Sequence, residues 1–317
     1  MQRVAVVGAG LIGRAWSLVF ARAGCEVRVT DPDPDVLAAL PGRLAADVAL
    51  LGRHGLCPPA AEVLPRIGTV ADLAEAVGDA ELVQENGPED VELKRALFAE
   101  LDALAPPGAL LASSTSAIVA SRFTEALAGR ARCLVAHPVN PPHLVPLVEL
   151  CGAPWTAPAT LERARAFYAD VGQVPITIEK EVDGFVLNRL QGALLAEAFR
   201  LVADGVVSPE DLDRTLKDGL GLRWSFMGPF ETIELNAPGG IADYLARYAG
   251  FYARLAEDPP TAAAFGAEAG EAIVRAWPHA PEPARLAARS AWRDERLAAL
   301  RAHKRDGAPA DPQEPSS

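Results

Sequence analysis

The first 31 residues place a glycine-rich turn between two short apolar segments, and this pattern limits the possible folds more than any other feature. Residues 4–7 (VAVV) are typical of a buried strand, GAGLIG follows, RAWSLVFARAG has a helical pattern, and CEVRVTD ends at Asp31. A strand, a turn, a helix and a second strand within about 30 residues match the size of one βαβ unit. Because such crossovers are right-handed, the pattern predicts a doubly wound parallel sheet.

The turn GAGLIG contains the spacing GxGxxG, with glycines at Gly8, Gly10 and Gly13. The first glycine permits a tight turn, the second lets the backbone approach a pyrophosphate, and the third allows close packing of helix and strand. The amide groups of Leu11 and Ile12 would face the phosphates at the helix N-terminus. Its position after a strand and before a helix favours a dinucleotide site over a simple glycine turn.

Asp31 ends the second predicted strand, 23 residues after Gly8. An acid at this place accepts hydrogen bonds from the adenosine ribose hydroxyls and repels a 2′-phosphate. We therefore expect NAD rather than NADP as the cofactor.

Strand and helix patterns alternate along the chain to about residue 180, and only helical patterns follow. The sequence thus predicts an α/β, Rossmann-like domain over residues 1–181 and an all-helical domain over residues 182–304. Residues 305–317 are polar and rich in proline, which is typical of a disordered tail.

The composition excludes several kinds of partner. The net charge of −12 argues against binding to nucleic acid or an anionic membrane. The four cysteines have no metal-ligand spacing, so we expect no metal site. With no signal peptide and no apolar span of about 20 residues, the sequence predicts a cytoplasmic protein.

The segment HPVNPPHLVPLVEL, residues 137–150, places polar residues among prolines and apolar residues. His137 follows the predicted strand CLVA, at the edge where open parallel sheets bind ligands. If His137 and Glu149 flank a turn, the carboxylate can fix the imidazole tautomer and leave the other nitrogen free to accept a proton. Such a base next to a dinucleotide site is typical of an alcohol dehydrogenase, although a lone histidine is often only structural.

Longer motifs make the chain resemble one known family. They are VAVVGAGLIGRAW, SSTSAI, HPVNPPHLVPLVEL, EVDGFVLNRLQ, GVVSPEDLD and GLGLRWSFMGPFET. The sequence resembles the 3-hydroxyacyl-CoA dehydrogenase superfamily, most closely its lambda-crystallin and L-gulonate 3-dehydrogenase branch. The resemblance covers nearly the whole chain, as far as WRDE at residues 292–295.

The resemblance implies roles for residues that match the family motifs. It implies that His137 is the catalytic base and Glu149 its orienting partner. It also implies that Ser116 binds the substrate oxygen, that Asn140 belongs to the same site, and that Asn188 completes the site from the helical domain. On residue type alone, Ser116 and Asn188 could instead cap helices.

The resemblance further implies contacts of Glu89 and Lys94 with the nicotinamide half of NAD, and of Asp31 with the adenosine ribose. Without it, Glu89 and Lys94 would be interpreted as a solvated pair on one helix. The family also implies a homodimer formed through the helical domain, with the active site in a cleft between the domains.

The substrate is less constrained than the cofactor. Relatives that use CoA thioesters are rich in lysine after the second strand, but residues 34–67 contain no lysine and three arginines, Arg43, Arg53 and Arg66. Arg223, in GLRWSFMGPF, could bind the carboxylate of a free 3-hydroxy acid, or could pair with Asp218 or Glu231.

L-gulonate is therefore the first candidate substrate. L-carnitine, whose ammonium group Trp224 and Phe226 could surround, and 3-hydroxybutyryl-CoA are the alternatives. A non-catalytic, crystallin-like NAD-binding protein is the alternative of another class, and the complete set of candidate site residues argues against it.

Overall fold

A computed structural model describes residues 2–279 and 281–307 of the chain. The described residues divide into two compact units, the first within Met1–Val186 and Glu282–Ser317 and the second within Leu187–Pro281. The first unit contains the sheet, and regular structure in the described part of the second is helical. The predicted combination of a Rossmann-like α/β fold and a following helical domain is confirmed.

Eight strands form one sheet in the described part of the first unit. They are β1 (Arg3–Val7), β2 (Glu26–Thr30), β3 (Ile67–Thr69), β4 (Leu82–Glu85), β5 (Leu110–Ser113), β6 (Cys133–Pro138), β7 (Leu147–Gly152) and β8 (Val174–Ile178). Their order is β3-β2-β1-β4-β5-β6-β7-β8. β1 to β6 run parallel, in the order expected of a dinucleotide-binding sheet, and the direction of winding changes between β1 and β4.

Helices connect the strands and make up the second unit. Those of the first unit are α1 (Leu11–Arg22), α2 (Pro34–Arg53), α3 (Ala60–Val63), α4 (Leu73–Val77), α5 (Val91–Leu104), α6 (Ser121–Thr124), α7 (Pro158–Asp170) and, at the end of the chain, α14 (Pro283–Gly307). Those of the second are α8 (Leu187–Ala203), α9 (Pro209–Arg214), α10 (Gly221–Trp224), α11 (Pro229–Leu235), α12 (Gly240–Leu255) and α13 (Ala267–Ala276), with a π-helical turn at Thr215–Leu220. None of these helices is long and apolar enough to span a membrane.

Both faces of the sheet are buried. Val4 and Val6 of β1 point into one apolar cluster, which α1, α2, α7 and α14 cover. Ala5 and Val7 point into a second cluster, which α4, α5 and α6 cover. Since successive strand residues face opposite sides, odd-numbered residues near the ends of β4, β5 and β6 share the second face. This pleat places polar side chains from neighbouring strands on one side of the sheet.

The direction of β7 differs from the parallel arrangement that the sequence predicts. β7 pairs with β6 antiparallel, and β8 pairs with β7 in parallel. The reason is the short link, residues 139–146, because a parallel crossover needs a dozen or more residues. The reversal sets His137 directly opposite Glu149 in the register of the two strands.

The last helix, α14, belongs to the first unit, whereas the sequence-based division placed residues 182–304 in one helical domain. Ala298 is fully buried in the first apolar cluster, and Leu297 packs against that cluster. Arg301 donates hydrogen bonds to the carbonyl oxygens of His143 and Gly172, at 3.1 and 3.2 Å. α14 continues to residue 307, and residues 308–317 of the predicted tail lie outside the described residues.

Many apolar side chains of the second unit are exposed. The 16 residues of α12 include no buried residue. Phe230 and Leu235 of α11 are 73% and 69% exposed. Such a concentration of exposed apolar groups is typical of surfaces that bind a partner.

The link between β6 and β7 generates a prediction about acid stability. Burial, together with the positive charges of Arg22, Arg14, Arg301 and Arg293, lowers the pKa of the His143 imidazole from 6.5 to about 3. Between these values the unfolded chain binds a proton that the folded chain does not, so stability falls as the pH falls. The loss amounts to about 2 kcal/mol near pH 5, since one pKa unit is worth about 1.4 kcal/mol.

Replacing the imidazole of His143 should remove this part of the pH dependence of stability. We expect His143→Asn to lose about 2 kcal/mol less stability than the wild type between pH 7.5 and pH 5, measured by urea unfolding at both values. An identical loss in both proteins would contradict the assignment.

Candidate active site

Five parallel strands end at one edge of the sheet, and a glycine or a polar residue lies at or just after each of these ends. These residues are Gly8 after β1, Asp31 after β2, Glu85 in β4, Ser113 in β5 and His137 in β6. In open α/β sheets, ligands bind outside the carboxyl ends of the strands, at the point where the winding changes direction. The predicted dinucleotide site and the predicted base therefore belong to the same edge.

The glycine turn after β1 requires glycine at two positions. Gly8 has a φ of 92°, a conformation that side chains rarely adopt. A Cβ atom added to Gly13 would lie 1.7 Å from the carbonyl oxygen of Gly8, which no adjustment of a side chain could relieve. The turn and the first residues of α1 therefore pack backbone against backbone, as the sequence predicts.

Gly10 leaves room for a ligand. It is exposed, and a Cβ atom added there would meet no protein atom within 4 Å. Gly10 precedes α1 without a side-chain hydrogen bond to the helix, so the first amides of α1, at Leu11 and Ile12, lack a side-chain cap. An open space beside free amides at the positive end of a helix fits a pyrophosphate. The residues present thus fit NAD.

Asp31 has a structural contact in addition to its expected ribose contact. Its Oδ2 accepts a hydrogen bond of 2.7 Å from the amide of Ala9, inside the glycine turn, and its Oδ1 accepts one of 2.9 Å from Asp33. A carboxylate can accept about four hydrogen bonds, so capacity for ribose hydroxyls remains. The side chain therefore links the turn after β1 to the end of β2.

His137 and Glu149 form a buried pair. The Nδ1 atom of His137 lies 2.7 Å from Oε2 of Glu149. Glu149 is fully buried and His137 is 6% exposed. Because a carboxylate accepts a hydrogen bond, we assign the proton to Nδ1, which leaves the lone pair of Nε2 to accept another proton.

Two further residues, which the sequence analysis did not identify, contact this pair. The ring of Phe185 lies 5.5 Å from the His137 ring, centroid to centroid. The amide of Val186 donates a hydrogen bond of 3.0 Å to Oε1 of Glu149. Phe185 has a φ of 52°, which costs a residue other than glycine about 1–2 kcal/mol. No residue preference signals such a conformation, because phenylalanine normally avoids it.

Glu89 and Ser116, predicted to contact cofactor and substrate, contact each other. The Ser116 hydroxyl donates to Oε1 of Glu89 at 2.8 Å, and the Thr115 hydroxyl donates to Oε2 at 2.6 Å. Burial tends to raise the pKa of the Glu89 carboxyl, but hydrogen bonds from Ser116 and Thr115 and the charge of Lys94 hold it below the ordinary value. Ser116 is thus joined to the loop before α5 and does not cap a helix.

Lys94 is buried, so it does not form the solvated pair with Glu89 that residue type alone would suggest. Its Nζ atom is buried and lies 2.9 Å from both carboxylate oxygens of Glu85. Ser113 and the amide of Gly87 also donate to Glu85, each at 2.5 Å. Lys94 therefore neutralises a fully buried acid and fixes the start of the loop that carries Glu89.

A second polar network lies on the opposite face of the sheet and was not predicted. The hydroxyl of Ser114 accepts hydrogen bonds from Trp16 and Gln84, at 3.0 and 2.7 Å, and donates to Asn86 at 2.7 Å. Tyr168 donates to Gln84 from the interior. The available signal in the sequence is that the strand LVQE ends in two polar residues, Gln84 and Glu85, although it lies within the predicted sheet. The network fixes Asn86 beside the glycine turn, where its carbonyl oxygen would meet a Cβ atom on Gly8 at 2.9 Å.

The remaining predicted site residues are more exposed or belong to the second unit. Asn140 is exposed and precedes Pro141 through a cis peptide bond. Asn188 is the second residue of α8. Arg223 is exposed in α10.

The acids that could have paired with Arg223 have other partners. Asp218 accepts hydrogen bonds from Lys217 at 2.6 and 2.7 Å. Oε2 of Glu231 accepts the amide of Gly228 at 2.5 Å. Across residues 2–279 and 281–307, no ion pair involves Arg223.

The chain matches two adjoining domains of one family. Residues 3–182 match the NAD binding domain of 3-hydroxyacyl-CoA dehydrogenase, and residues 184–275 match its C-terminal domain. The boundary between the two matches lies within a few residues of Val186, where the first segment of the first unit ends and the second unit begins.

Three known proteins show what the chain is similar to. Lambda-crystallin homolog of Bos taurus is 46% identical over 296 residues, 92% of this chain and 92% of that protein. L-carnitine dehydrogenase of Streptomyces griseus is 43% identical over 249 residues, 78% of this chain and 74% of that protein. Among solved structures, 5-formyl-3-hydroxy-2-methylpyridine 4-carboxylic acid 5-dehydrogenase, an NAD+-dependent dismutase, has a TM-score of 0.83 at 28% identity and covers 98% of this chain and 100% of its own.

The second and third glycines of the turn, Gly10 and Gly13, should respond differently to substitution by alanine. Gly13→Ala would place Cβ against the Gly8 carbonyl, so we expect a lower Tm and loss of NAD binding. Gly10→Ala meets no protein atom, so we expect the wild-type Tm but an NAD dissociation constant about tenfold or more higher, because the methyl group occupies the phosphate space. Thermal unfolding and calorimetric titration with NAD measure both effects. Wild-type NAD affinity in Gly10→Ala would contradict the placement of the phosphates.

Proposed function

Because the chain belongs to the 3-hydroxyacyl-CoA dehydrogenase family, we propose that it oxidises the 3-hydroxyl group of a small, free 3-hydroxy acid. NAD, when bound, supplies the hydride acceptor for this oxidation. The observation that carries the proposal is the buried contact of 2.7 Å between Nδ1 of His137 and Oε2 of Glu149, at the edge of the sheet that holds the glycine turn.

His137 acts as the general base in this proposal. Its Nε2 atom takes the proton of the substrate hydroxyl while a hydride leaves the same carbon, so that a ketone forms. Glu149 keeps the proton on Nδ1 and stabilises the imidazolium that results. Ser116 and Asn188 bind the reacting oxygen, and Asn140 binds a more distant part of the substrate.

The cofactor contacts follow from the glycine turn and the loop before α5. Asp31 binds the adenosine ribose, and Glu89 lies beside the nicotinamide half. Since Nζ of Lys94 lies 2.9 Å from each oxygen of Glu85, we assign Lys94 an indirect role: it fixes the loop that presents Glu89.

Arg223 supports a free carboxylate as the substrate group. Asp218 and Glu231, its nearest candidate partners in sequence, are hydrogen-bonded to other groups, and a guanidinium fork can hold two carboxylate oxygens. A similar solved structure is named for a carboxylic acid. L-gulonate, a free 3-hydroxy acid, is the first candidate because the sequence motifs resemble that branch most closely.

Two observations weigh against a CoA thioester as the substrate. Arg53 forms an ion pair of 2.7 Å with Glu295, and Arg66 donates to the carbonyls of Glu62 and Gly24, at 3.1 and 3.2 Å. Two of the three arginines in residues 34–67 therefore make contacts within the protein and are less available for CoA phosphates.

L-carnitine is the second candidate. The chain is 43% identical to an L-carnitine dehydrogenase over 249 residues. Trp224 and Phe226 are 43% and 68% exposed, and exposed aromatic faces bind quaternary ammonium groups.

We also propose that the protein is a homodimer. The exposed apolar side chains of α11 and α12 offer the kind of surface that subunit interfaces bury.

The proposal predicts the outcome of a substrate comparison. Formation of NADH is followed with L-gulonate, L-carnitine and L-3-hydroxybutyryl-CoA as substrates of the purified protein. We expect turnover of a free acid, and a fall in kcat of about 10²–10⁴-fold in His137→Ala because the base is lost. Turnover of the thioester alone would overturn the free-acid assignment. Failure to oxidise any of them, with NAD still bound, would favour the non-catalytic alternative.

Arg223 generates a separate prediction. Arg223→Met should raise KM for the free acid about tenfold or more and leave kcat nearly unchanged, because a charged hydrogen bond to the substrate carboxylate is lost. Arg275→Met is the matched control, since Arg275 is also exposed in the second unit and contacts Glu271 at 3.5 Å. Equal KM values in the two variants would show that Arg223 does not bind the carboxylate.

A further inference from the structure

The chain makes an unusual turn just before the second unit begins. The amide of Phe185 donates to the carbonyl of Val182 at 3.1 Å, which closes the turn. Gly184 has a φ of 77° and Phe185 a φ of 52°, so two consecutive residues lie in the left-handed region. The turn is anchored at its start, where Oε1 of Glu181 accepts the amide of Ser121 at 2.8 Å.

Phe185 is held in this conformation by the apolar core. Its side chain is fully buried and belongs to the second apolar cluster, with Phe123, Val135 and Cys151 among its members. The ring lies against His137, with 5.5 Å between centroids and 36° between planes. Phe185 therefore adopts a backbone conformation that its residue type disfavours, and its ring lies against that imidazole.

The same turn directs a backbone donor at the carboxylate. The amide of Val186, the next residue, donates to Oε1 of Glu149 at 3.0 Å. Glu149 uses its other oxygen, Oε2, for Nδ1 of His137. One short segment thus contacts both members of the pair, the imidazole by its ring and the carboxylate by its amide.

We propose that Gly184, Phe185 and Val186 form a positioning element for the His137–Glu149 pair. The Phe185 ring sets the plane of the imidazole, and the Val186 amide sets the rotation of the carboxylate, so that Nε2 of His137 points away from the sheet. Strain at such a site is typical of groups that must be held in one orientation. The inference rests on the proposed function, because it assigns His137 the part of the base.

The ring is tested with Phe185→Leu and with Phe98→Leu as the matched control. Both phenylalanines are fully buried in the same apolar cluster, but Phe98 packs on Phe123. Leucine keeps an apolar side chain at φ 52° and removes only the aromatic ring. NMR of histidine-labelled protein without substrate follows the low-field Nδ1 proton of His137, which His137→Gln identifies.

We expect Phe185→Leu to shift or broaden this proton signal and to lower kcat about 10–100-fold, with the NAD dissociation constant unchanged. Phe98→Leu should lower Tm similarly and leave the signal and kcat as in the wild type. Equal effects of the two substitutions on the signal and on kcat would overturn the proposal.

Gly184→Ala tests whether the backbone conformation of the turn positions the pair. This variant also keeps the proposal testable if Phe185→Leu does not fold. Gly172→Ala is its control, because Gly172 has a φ of 79°, close to the 77° of Gly184. We expect only Gly184→Ala to disturb the His137 signal, and equal signals in both would overturn the proposal. The NMR measurement needs no turnover: full activity in His137→Gln would refute the proposed function, while the signal would still report on positioning.

Discussion

A fully buried carboxylate is the constraint on which the candidate site depends. Glu149 is 0% exposed, and a buried charge is costly unless hydrogen bonds compensate for it. The antiparallel register of β6 and β7 supplies His137 directly opposite, and the turn at Phe185 supplies the Val186 amide. A slip of one residue in β7 would turn Glu149 to the other face of the sheet, among apolar side chains, so the strand register and the site geometry are set together.

Glu85 and Glu149 are buried on the same face of the sheet, and their different neighbours give them different roles. Glu85 has Lys94 at 2.9 Å from both oxygens, with Ser113 and the amide of Gly87 as further donors. A lysine side chain holds that acid, and the cluster orders the loop before α5. Glu149 instead faces the imidazole of His137, a group that can accept a proton from a substrate and release it again. A proton gained at Nε2 of His137 is therefore stabilised by the carboxylate on the far side of the ring.

Local patterns in the sequence were enough to predict the strand and helix alternation, the glycine turn and the possible meeting of His137 and Glu149. The direction of β7 could also have been inferred, because residues 139–146 are too few for a parallel crossover. The partner of Lys94 could not be inferred from the sequence. Glu85 lies nine residues earlier, in a buried strand, and the pair forms only when β4 and α5 are packed together. The conformation of Phe185 was equally hidden, because tertiary packing imposes a φ that the residue type disfavours.

The return of α14 to the first unit has a physical reason in the link between β6 and β7. That link joins the two strands that carry His137 and Glu149. It contains the buried His143, whose Nδ1 has no hydrogen-bond partner among the described residues. The link is held in place through the carbonyl oxygen of His143, which accepts hydrogen bonds from Arg22 of α1 at 2.8 Å and from Arg301 of α14 at 3.1 Å. Since α1 begins at the glycine turn, one carbonyl oxygen ties the link between the candidate base and its acid to the helix of the dinucleotide site. The last helix thus stabilises the geometry of a site whose strands were completed more than 100 residues earlier in the chain.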